Sequence, residues 1–92
     1  MTNYAALGEL TAYSRQAKDA AGRRFALLNN LSVELRRLSE DPVMDVDTDK
    51  IQREFSEIGK ADAEMRAALD RANQAAALCG EPLLTLSKLH NG

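Results

Sequence analysis

Two heptad stripes that mirror each other constrain this chain more than any other feature of its sequence. The first has alternating spacings of three and four residues, through Leu7, Leu10, Ser14, Ala17, Ala21, Arg24, Leu28, Leu31, Leu35 and Leu38. The second repeats that spacing further along, through Ile51, Phe55, Ile58, Asp62, Met65, Leu69, Ala72, Ala76 and Cys79. A single register pairs both stripes when the chain folds back, with Leu31 facing Ile58. The stripes therefore predict two long antiparallel helices.

The ends of the first helix are marked by residue type. Asn3 or Thr2 can cap it by accepting a hydrogen bond from its first turn. Proline disfavours helical backbone at the residue before it, so the Asp41-Pro42 step predicts a helix over about residues 3–40. Such a helix is a rod roughly 57 Å long.

The second helix has its own start and stop signals. Asp47 is the predicted N-cap, after a turn over residues 41–46. Gly80 is the residue type that most readily adopts the left-handed backbone with which many helices end. The second helix is therefore predicted over about residues 47–79.

The C-terminal element, residues 81–90, contains four leucines, and Pro82 is suited to the first position of a short helix. We expect a short third helix or a tail that folds back beside the N-terminal half of the first helix. The fold class is then all-α: a single domain over residues 1–92, built as a long, coiled-coil-like antiparallel hairpin with this short third element.

The composition predicts a thin core. Apolar residues make up 45 % of the 92 residues, but many are alanine, only 4 % are aromatic and none is tryptophan. Alanine helices pack closely yet bury little area per residue. A lone hairpin would leave a broad apolar flank in water, so we expect a homodimer in a four-helix arrangement, or capture of another protein.

Charge, hydropathy and cysteine content bear on the kind of partner and on the cellular compartment. The formal net charge is −2, which disfavours a general polyanion binder. The sequence has no run of 18 apolar residues and no basic segment followed by an apolar one at its start, so we expect neither a membrane span nor a secretory signal. Cys79 is the one cysteine, which fits a reducing compartment. We expect the cytoplasm of a bacterium or of a phage-infected host cell.

Two charged residues interrupt the apolar stripes from opposite helices. Arg24 and Asp62 lie less than one turn apart in the mirror register, which predicts a partly buried ion pair. Such a pair can specify register or oligomeric state while adding little net stability. The alternative is that both side chains extend to the edge of the seam.

A second stripe widens the apolar face of the first helix. It contains Tyr13, Ala20 and Leu27, with Phe25 on the other flank. One partner helix cannot cover this width, and aromatic side chains are common anchors of protein interfaces. We predict partner contacts at Tyr13, Phe25 and Leu27, with ordinary core packing as the alternative.

The predicted turn is strongly acidic, because residues 40–49 hold five acids and no base. We predict that an acidic tip, formed by Glu40, Asp41, Asp45 and Asp47, contacts a basic surface of a partner. Helix capping and a solvated turn are the alternative reading of these acids.

The sequence has few residues arranged for catalysis or for metal binding. The acids of the turn begin with the spacing of an EF-hand loop, but Lys50 stands where that loop requires glycine. His90 and Cys79 are single and cannot build a zinc site. The sequence has no phosphate-cradling glycine loop and no nucleophile elbow. We therefore expect no enzymatic activity, no metal and no cofactor.

The hairpin plan is similar to that of several unrelated helical proteins. Type III secretion needle subunits share it, but this chain lacks their paired-proline turn. Secreted hairpins with a Trp-x-Gly turn differ in that motif. RNA-binding hairpins that dimerise into four-helix bundles share only the architecture. The resemblance is one of shape and assigns no family.

The sequence favours a non-catalytic protein–protein interaction module: a small adaptor or inhibitor, from a bacterium or a phage, that binds a larger protein. Two alternatives stay open. One is a nucleic-acid-binding hairpin dimer that uses the basic residues of the first helix, Arg15, Lys18, Arg23, Arg36 and Arg37. The other is a structural subunit of a secretion or virion assembly.

Overall fold

The chain forms a helical hairpin with a short third helix. The structure, a computed structural model, describes residues 3–90, with α1 over Tyr4–Glu40, α2 over Thr48–Cys79 and α3 over Leu86–His90. The predicted all-α hairpin is confirmed. The molecule measures 66 × 22 × 13 Å, and its radius of gyration of 17.7 Å exceeds the value of about 13 Å for a compact domain of 100 residues. It is a rod.

The ends of α1 follow the chemistry of the flanking residues. Asn3 is the cap, since its Oδ1 accepts a hydrogen bond at 3.0 Å from the backbone N–H three residues on. Thr2, the other predicted cap, lies outside the described residues. Asp41 leaves the helical region before Pro42, and its Oδ1 accepts a hydrogen bond from the N–H of Val43 at 3.0 Å. The turn therefore starts at this aspartate.

α2 also begins and ends as its sequence predicts. Asp47 caps it by accepting a hydrogen bond from the N–H of Lys50 at 3.0 Å. Gly80 follows the last helical residue with a φ of 74°, in the left-handed region. The N–H of Glu81 donates to the carbonyl of Ala76 at 2.9 Å, which satisfies a carbonyl at the helix end.

Three polar contacts across the seam establish the antiparallel register. From the open end to the turn, they join Tyr13 to Arg71 at 3.1 Å, Arg24 to Asp62 at 2.9 Å and Glu34 to Lys50 at 3.0 Å. Each lies within five positions of the partner that the mirror register predicts. All three observed partners lie before the predicted ones, so α2 is shifted by about one helical turn relative to the predicted register.

The seam is filled mostly by alanine. Of the twelve buried apolar residues described, eight are alanine, and the others are Leu31, Met65, Leu69 and Leu89. Small side chains let the two helices approach closely, but each removes little apolar surface from water. The core is therefore thin, and its largest members lie under the C-terminal segment.

The C-terminal segment returns along the hairpin. Its last helical turn lies over the N-terminal half of α1, as the sequence predicts, and Leu89 is only 4 % exposed. This leucine packs in a cluster with Ala17, Ala20, Met65, Ala68 and Leu69. Helix α3 begins at Leu86, four residues after the start that Pro82 suggests.

One side chain holds the segment that precedes α3. The Oδ1 of Asn73 accepts a hydrogen bond from the N–H of Leu84 at 2.7 Å, and its Nδ2 donates to the carbonyl of the same residue at 3.0 Å. The backbone of Leu84 is thus bonded to α2 at both polar groups. The segment that carries this contact, residues 81–85, is irregular, and α3 begins directly after it.

The tail covers one half of the hairpin. We call this half the base, residues 4–21 and 61–79, and the turn-side half the arm, residues 22–60. Three helices pack together in the base where α3 lies on it, whereas in the arm only α1 and α2 pack together. No described helix is both long and apolar enough to cross a membrane.

Candidate protein interface

The arm buries very little of its apolar surface. Residues 22–60 contain a single buried side chain, Leu31. Eight of the large apolar residues in this range are exposed: Phe25, Leu28, Val33, Leu35, Val43, Met44, Val46 and Phe55. Large apolar side chains thus concentrate in the half of the rod that the C-terminal segment does not cover.

Helical spacing shows which face of the arm carries most of them. In the base, α3 and the segment before it pack against Ala21 of α1 and against Met65 and Leu69 of α2. Residues seven and fourteen positions toward the turn lie on the same face of each helix. From those three residues, the spacing leads to the charged Asp62 at the end of the base and to five apolar residues of the arm: Leu28, Leu35, Ile58, Ile51 and Phe55. We call these five, together with Phe25, the arm face.

The arm face continues the groove that α3 occupies. Phe25 and Leu28 line a cavity of about 260 Å³ with Met65 of α2 and with Leu86 and Leu89 of α3. Past the end of α3 the small residues of this face change to large ones, from Ala21 to Leu28 and Leu35. On α1 the side chains of this face are therefore small where α3 covers them and large where it does not, whereas α2 has large apolar side chains in both halves, Met65 and Leu69 in the base and Ile58 in the arm.

Exposure of these large side chains is substantial. Phe25 is 58 % exposed and Phe55 56 %, while Ile51 and Ile58 are half-buried against α1. Their burial by another surface would be favourable at about 25 cal/mol per Å² of apolar area. The arm face can thus bind an apolar surface of helix-like shape.

The opposite face of the arm is charged and internally paired. Glu34 bonds to Lys50 at 3.0 Å, and this hydrogen bond raises the pKa of the lysine. The pKa of Glu54 is also raised, first by burial and then by the charge and hydrogen bond of Glu34. Nearby, Arg23 bonds to Glu64 at 2.7 Å. These contacts give the arm one ionic face and one apolar face.

A second ionic cluster marks the boundary between arm and base. Asp62 accepts hydrogen bonds from Arg24 at 2.9 Å and from Arg66 at 3.0 Å, and all three side chains are partly exposed. Its pKa is lowered, chiefly by the hydrogen bond from Arg66 and then by Arg24, with burial acting in the opposite direction. The predicted Arg24–Asp62 ion pair is therefore present. Its role in register or oligomeric state stays a prediction.

The structure separates the predicted apolar anchors. Phe25 lies on the side of the hairpin that α3 occupies. Tyr13 lies on the other side, where its ring faces the Arg71 guanidinium at 5.5 Å and its hydroxyl accepts a hydrogen bond from it. Leu27 is half-buried, and at 100° per residue it points about 200° away from Phe25. The three residues are not one surface.

The predicted acidic tip lies at the turn, with all four members exposed. Two of them also stabilise the fold, since Asp41 holds the turn and Asp47 caps α2. Capping and partner contact are compatible because a capping carboxylate keeps its charge. Glu40 and Asp45 complete the set. Among residues 3–90 no group of three or more acidic, histidine or cysteine side chains could hold a metal ion.

Sequence reasoning missed most of the arm face. Leu35, Phe55 and Ile58 belong to the heptad stripes and were therefore assigned to the seam between the helices. The seam is too narrow to bury them because the two helices contact each other through a line of residues, and the flanks of that line remain open. The change from alanine to leucine and phenylalanine along each stripe was the signal that could have located this surface.

Comparison with known proteins gives no further guide to this surface. No model of a protein family, no curated protein and no solved structure matches the chain.

Proposed function

We propose that this chain is a non-catalytic protein-interaction module, a small adaptor or inhibitor that acts by binding a larger protein. The observation that carries the proposal is the arm face. It places six large apolar residues on one side of a two-helix layer, and only the base half of that side is covered by the chain itself. Contiguous apolar surface of this kind commonly marks a protein-binding site.

The shape of the surface indicates how a partner would bind. Phe25 and Phe55 are aromatic anchors on the two helices, and the half-buried Ile51 and Ile58 line the groove between them. A groove between two antiparallel helices suits a third or fourth helix that packs side chains into it. The partner element is therefore helical and amphipathic in this proposal.

Two further features support contact with a protein. The acidic tip at Asp41, Asp45 and Asp47 offers negative charge at the end of the arm, which favours a partner with basic residues next to its apolar surface. Tyr13 and Leu27, on the other side of the hairpin, offer a second and smaller contact. The single Cys79 supports the expected setting, the cytoplasm of a bacterium or of a phage-infected cell.

The nucleic-acid alternative has less support. Arg23, one of the five basic residues on which it depends, bonds to Glu64 of α2, and the neighbouring Arg24 bonds to Asp62. Paired cations contribute less to a polyanion-binding surface than free ones do. In that alternative the arm face could form the dimer but would not contact the nucleic acid.

The test compares two variants in which exposed apolar residues are replaced by glutamate, two residues in the arm and one in the base. The arm variant carries Leu35→Glu and Phe55→Glu, and the base control carries Leu78→Glu, at a residue 67 % exposed on the Tyr13 side. Each is tagged and expressed in its native cells, and bound proteins are identified by cross-linking and mass spectrometry. We expect one larger protein to be recovered with the wild type and the control, and to be lost with the arm variant.

Circular dichroism first establishes that both variants keep wild-type helix content. A partner recovered equally with all three chains would show that the arm face is not its binding site. Recovery of nucleic acid in place of protein, lost at high salt, would support the nucleic-acid alternative instead.

A further inference from the structure

We propose that the arm face binds a second copy of this chain in antiparallel orientation, so that two arms form a four-helix bundle. The inference rests on the proposed function in taking the arm face as a protein-binding surface, and it names the first partner. Three observations carry it: the size of the face, the position of α3 at one end of it, and the charge at its two ends.

The size of the arm face suits a dimer. From Phe25 to Asp41 the arm is about 25 Å long, and the molecule is 22 Å wide. Their product is a projected area of roughly 550 Å² on each copy, hence roughly 1,100 Å² for a pair, which clears the minimum of about 1,000 Å² for a biological interface and is typical of a weak dimer. A single foreign helix would cover only the central groove and leave Phe25 and Phe55 at its edges.

The position of α3 sets the extent of the overlap. This helix ends the open part of the groove, because Leu86 and Leu89 lie next to Phe25 and Leu28. A second arm laid antiparallel on the first fits between α3 and the turn, since the two arms have the same length. Its turn then meets α3, and the exposed Val43 and Met44 of that turn cover the exposed Leu86.

The charges at the two ends of the arm are opposite. The turn end holds five acids and no base over residues 40–49. The base end holds three cations, Arg24, Arg66 and the exposed Lys88 on α3, against two carboxylates, Asp62 and the Asp70 that lies beside Arg66 and Leu86. Antiparallel pairing brings each acidic end to a basic end, and the two-fold axis repeats this match. Parallel pairing would place five acids against five acids, which is unfavourable.

This dimer keeps the other side of each hairpin exposed. Tyr13, Leu27 and the ion-paired face of the arm point away from the bundle. A larger protein then contacts the outside of the dimer or the acidic tips at its ends. Loss of that protein in the arm variant would follow from loss of the bundle.

The oligomeric state is the first test. Sedimentation equilibrium over a concentration series measures the dissociation constant of the dimer for the wild type, the arm variant and the Leu78→Glu control. We expect the wild type to form a dimer and no larger oligomer at any concentration tested. In the arm variant we expect the dissociation constant to increase by at least about 100-fold. The control should match the wild type. Circular dichroism verifies that each chain is folded.

Orientation is the second test. In a Cys79→Ser background, Met44→Cys and Leu86→Cys are placed in separate chains, which are mixed and oxidised. Antiparallel packing predicts a 44-to-86 cross-link in the mixture and little cross-linking of Met44→Cys alone. A charge-swap pair adds a readout: Asp45→Arg or Arg66→Glu alone should weaken the dimer, and both changes in one chain should restore part of the loss.

The outcomes separate the inference from the proposed function. A monomeric wild type at millimolar concentration overturns the dimer, yet the arm can still capture a larger protein in the lysate test. Efficient 44-to-44 cross-linking overturns the antiparallel arrangement. A molecular mass that keeps increasing with protein concentration overturns the closed dimer and favours the alternative of a structural subunit in an assembly. A dimer that captures no larger protein supports this inference and contradicts the adaptor function.

Discussion

Asn73 bonds to both backbone polar groups of Leu84, at 2.7 Å to its N–H and at 3.0 Å to its carbonyl. This two-point contact fixes the C-terminal segment to α2 five residues before Leu89 enters the core. One polar contact, at Leu84, and one apolar contact, at Leu89, therefore fix the C-terminal segment on the hairpin. That placement leaves the arm face uncovered.

Replacing Asn73 by aspartate should release the segment. A carboxylate can accept from the N–H of Leu84 but cannot donate to its carbonyl, so two oxygens would face each other. We expect a loss of about 1–3 kcal/mol in the free energy of unfolding. Hydrogen exchange followed by mass spectrometry should show faster exchange over residues 82–90. Gln74→Ala, which removes an exposed amide from the same helix, should leave this exchange unchanged, and equal exchange in Asn73→Asp and wild type would contradict the clamp.

The hairpin was predictable from the sequence because its determinants are local. Heptad spacing defines the faces of both helices, and Asn3, Asp47 and Gly80 act on their own neighbours through hydrogen bonds of one turn. The start of α3 was not predictable in this way. The segment before it is held by a contact between Asn73 and Leu84, eleven positions apart, and a heptad pattern carries no information about such a pair.

The candidate interface was only partly predictable, for a related reason. The sequence places Phe25 beside the seam and predicts a partner contact there. Phe55 fits the spacing of the seam, so the sequence predicts that it is buried between the helices. Whether a residue at such a position is buried depends on what lies on the flank of the helix pair. In the base that flank holds Leu89, and in the arm it does not.

Leu69 is a core residue whose truncation should be costly. It is 8 % exposed and packs in the cluster beneath Leu89. We expect Leu69→Ala to lower the free energy of unfolding by about 2–5 kcal/mol, since the surrounding alanines cannot fill the space. Urea denaturation measures the change. Leu78→Ala, at an exposed position, should stay within about 0.5 kcal/mol of the wild type; similar losses in both variants would mean that the cluster is not the core.

Two glycines should respond to alanine in opposite ways. Gly22 lies inside α1, where an added Cβ would meet no atom within 4 Å, so Gly22→Ala should stabilise by about 0.5–1 kcal/mol through higher helix propensity. Gly80 has a φ of 74°, where a Cβ is strained, so Gly80→Ala should destabilise by about 1 kcal/mol. Thermal unfolding of both variants measures the difference. Stabilisation in Gly80→Ala would mean that α2 ends with another geometry.

Asp62 should make the stability of the folded chain depend on pH in the acidic range. Its folded pKa is lowered by Arg66 and Arg24, so the ionised form is favoured in the folded chain. The resulting stabilisation is present above the unfolded pKa and is lost as the pH falls through the folded pKa. Asp62→Asn should therefore melt at a lower temperature than the wild type at neutral pH, and the gap should narrow as the solution is acidified to about pH 3. A gap that does not change with pH would show that the carboxylate charge has no part in it.

Glu54 should show the opposite pH dependence. Its folded pKa is raised by burial and by the neighbouring Glu34, so the protonated form is favoured in the folded chain. That contribution is present below the unfolded pKa and is lost as the pH rises through the folded pKa. Glu54→Gln, which stays neutral, should melt at a higher temperature than the wild type at neutral pH, and the advantage should vanish near about pH 3. Glu57→Gln is the control, since it removes a carboxylate bonded to Lys60 on the same helix and should not raise the melting temperature. If Glu54→Gln melts below the wild type at neutral pH, its carboxylate is stabilised by Lys50 more than it is opposed by Glu34.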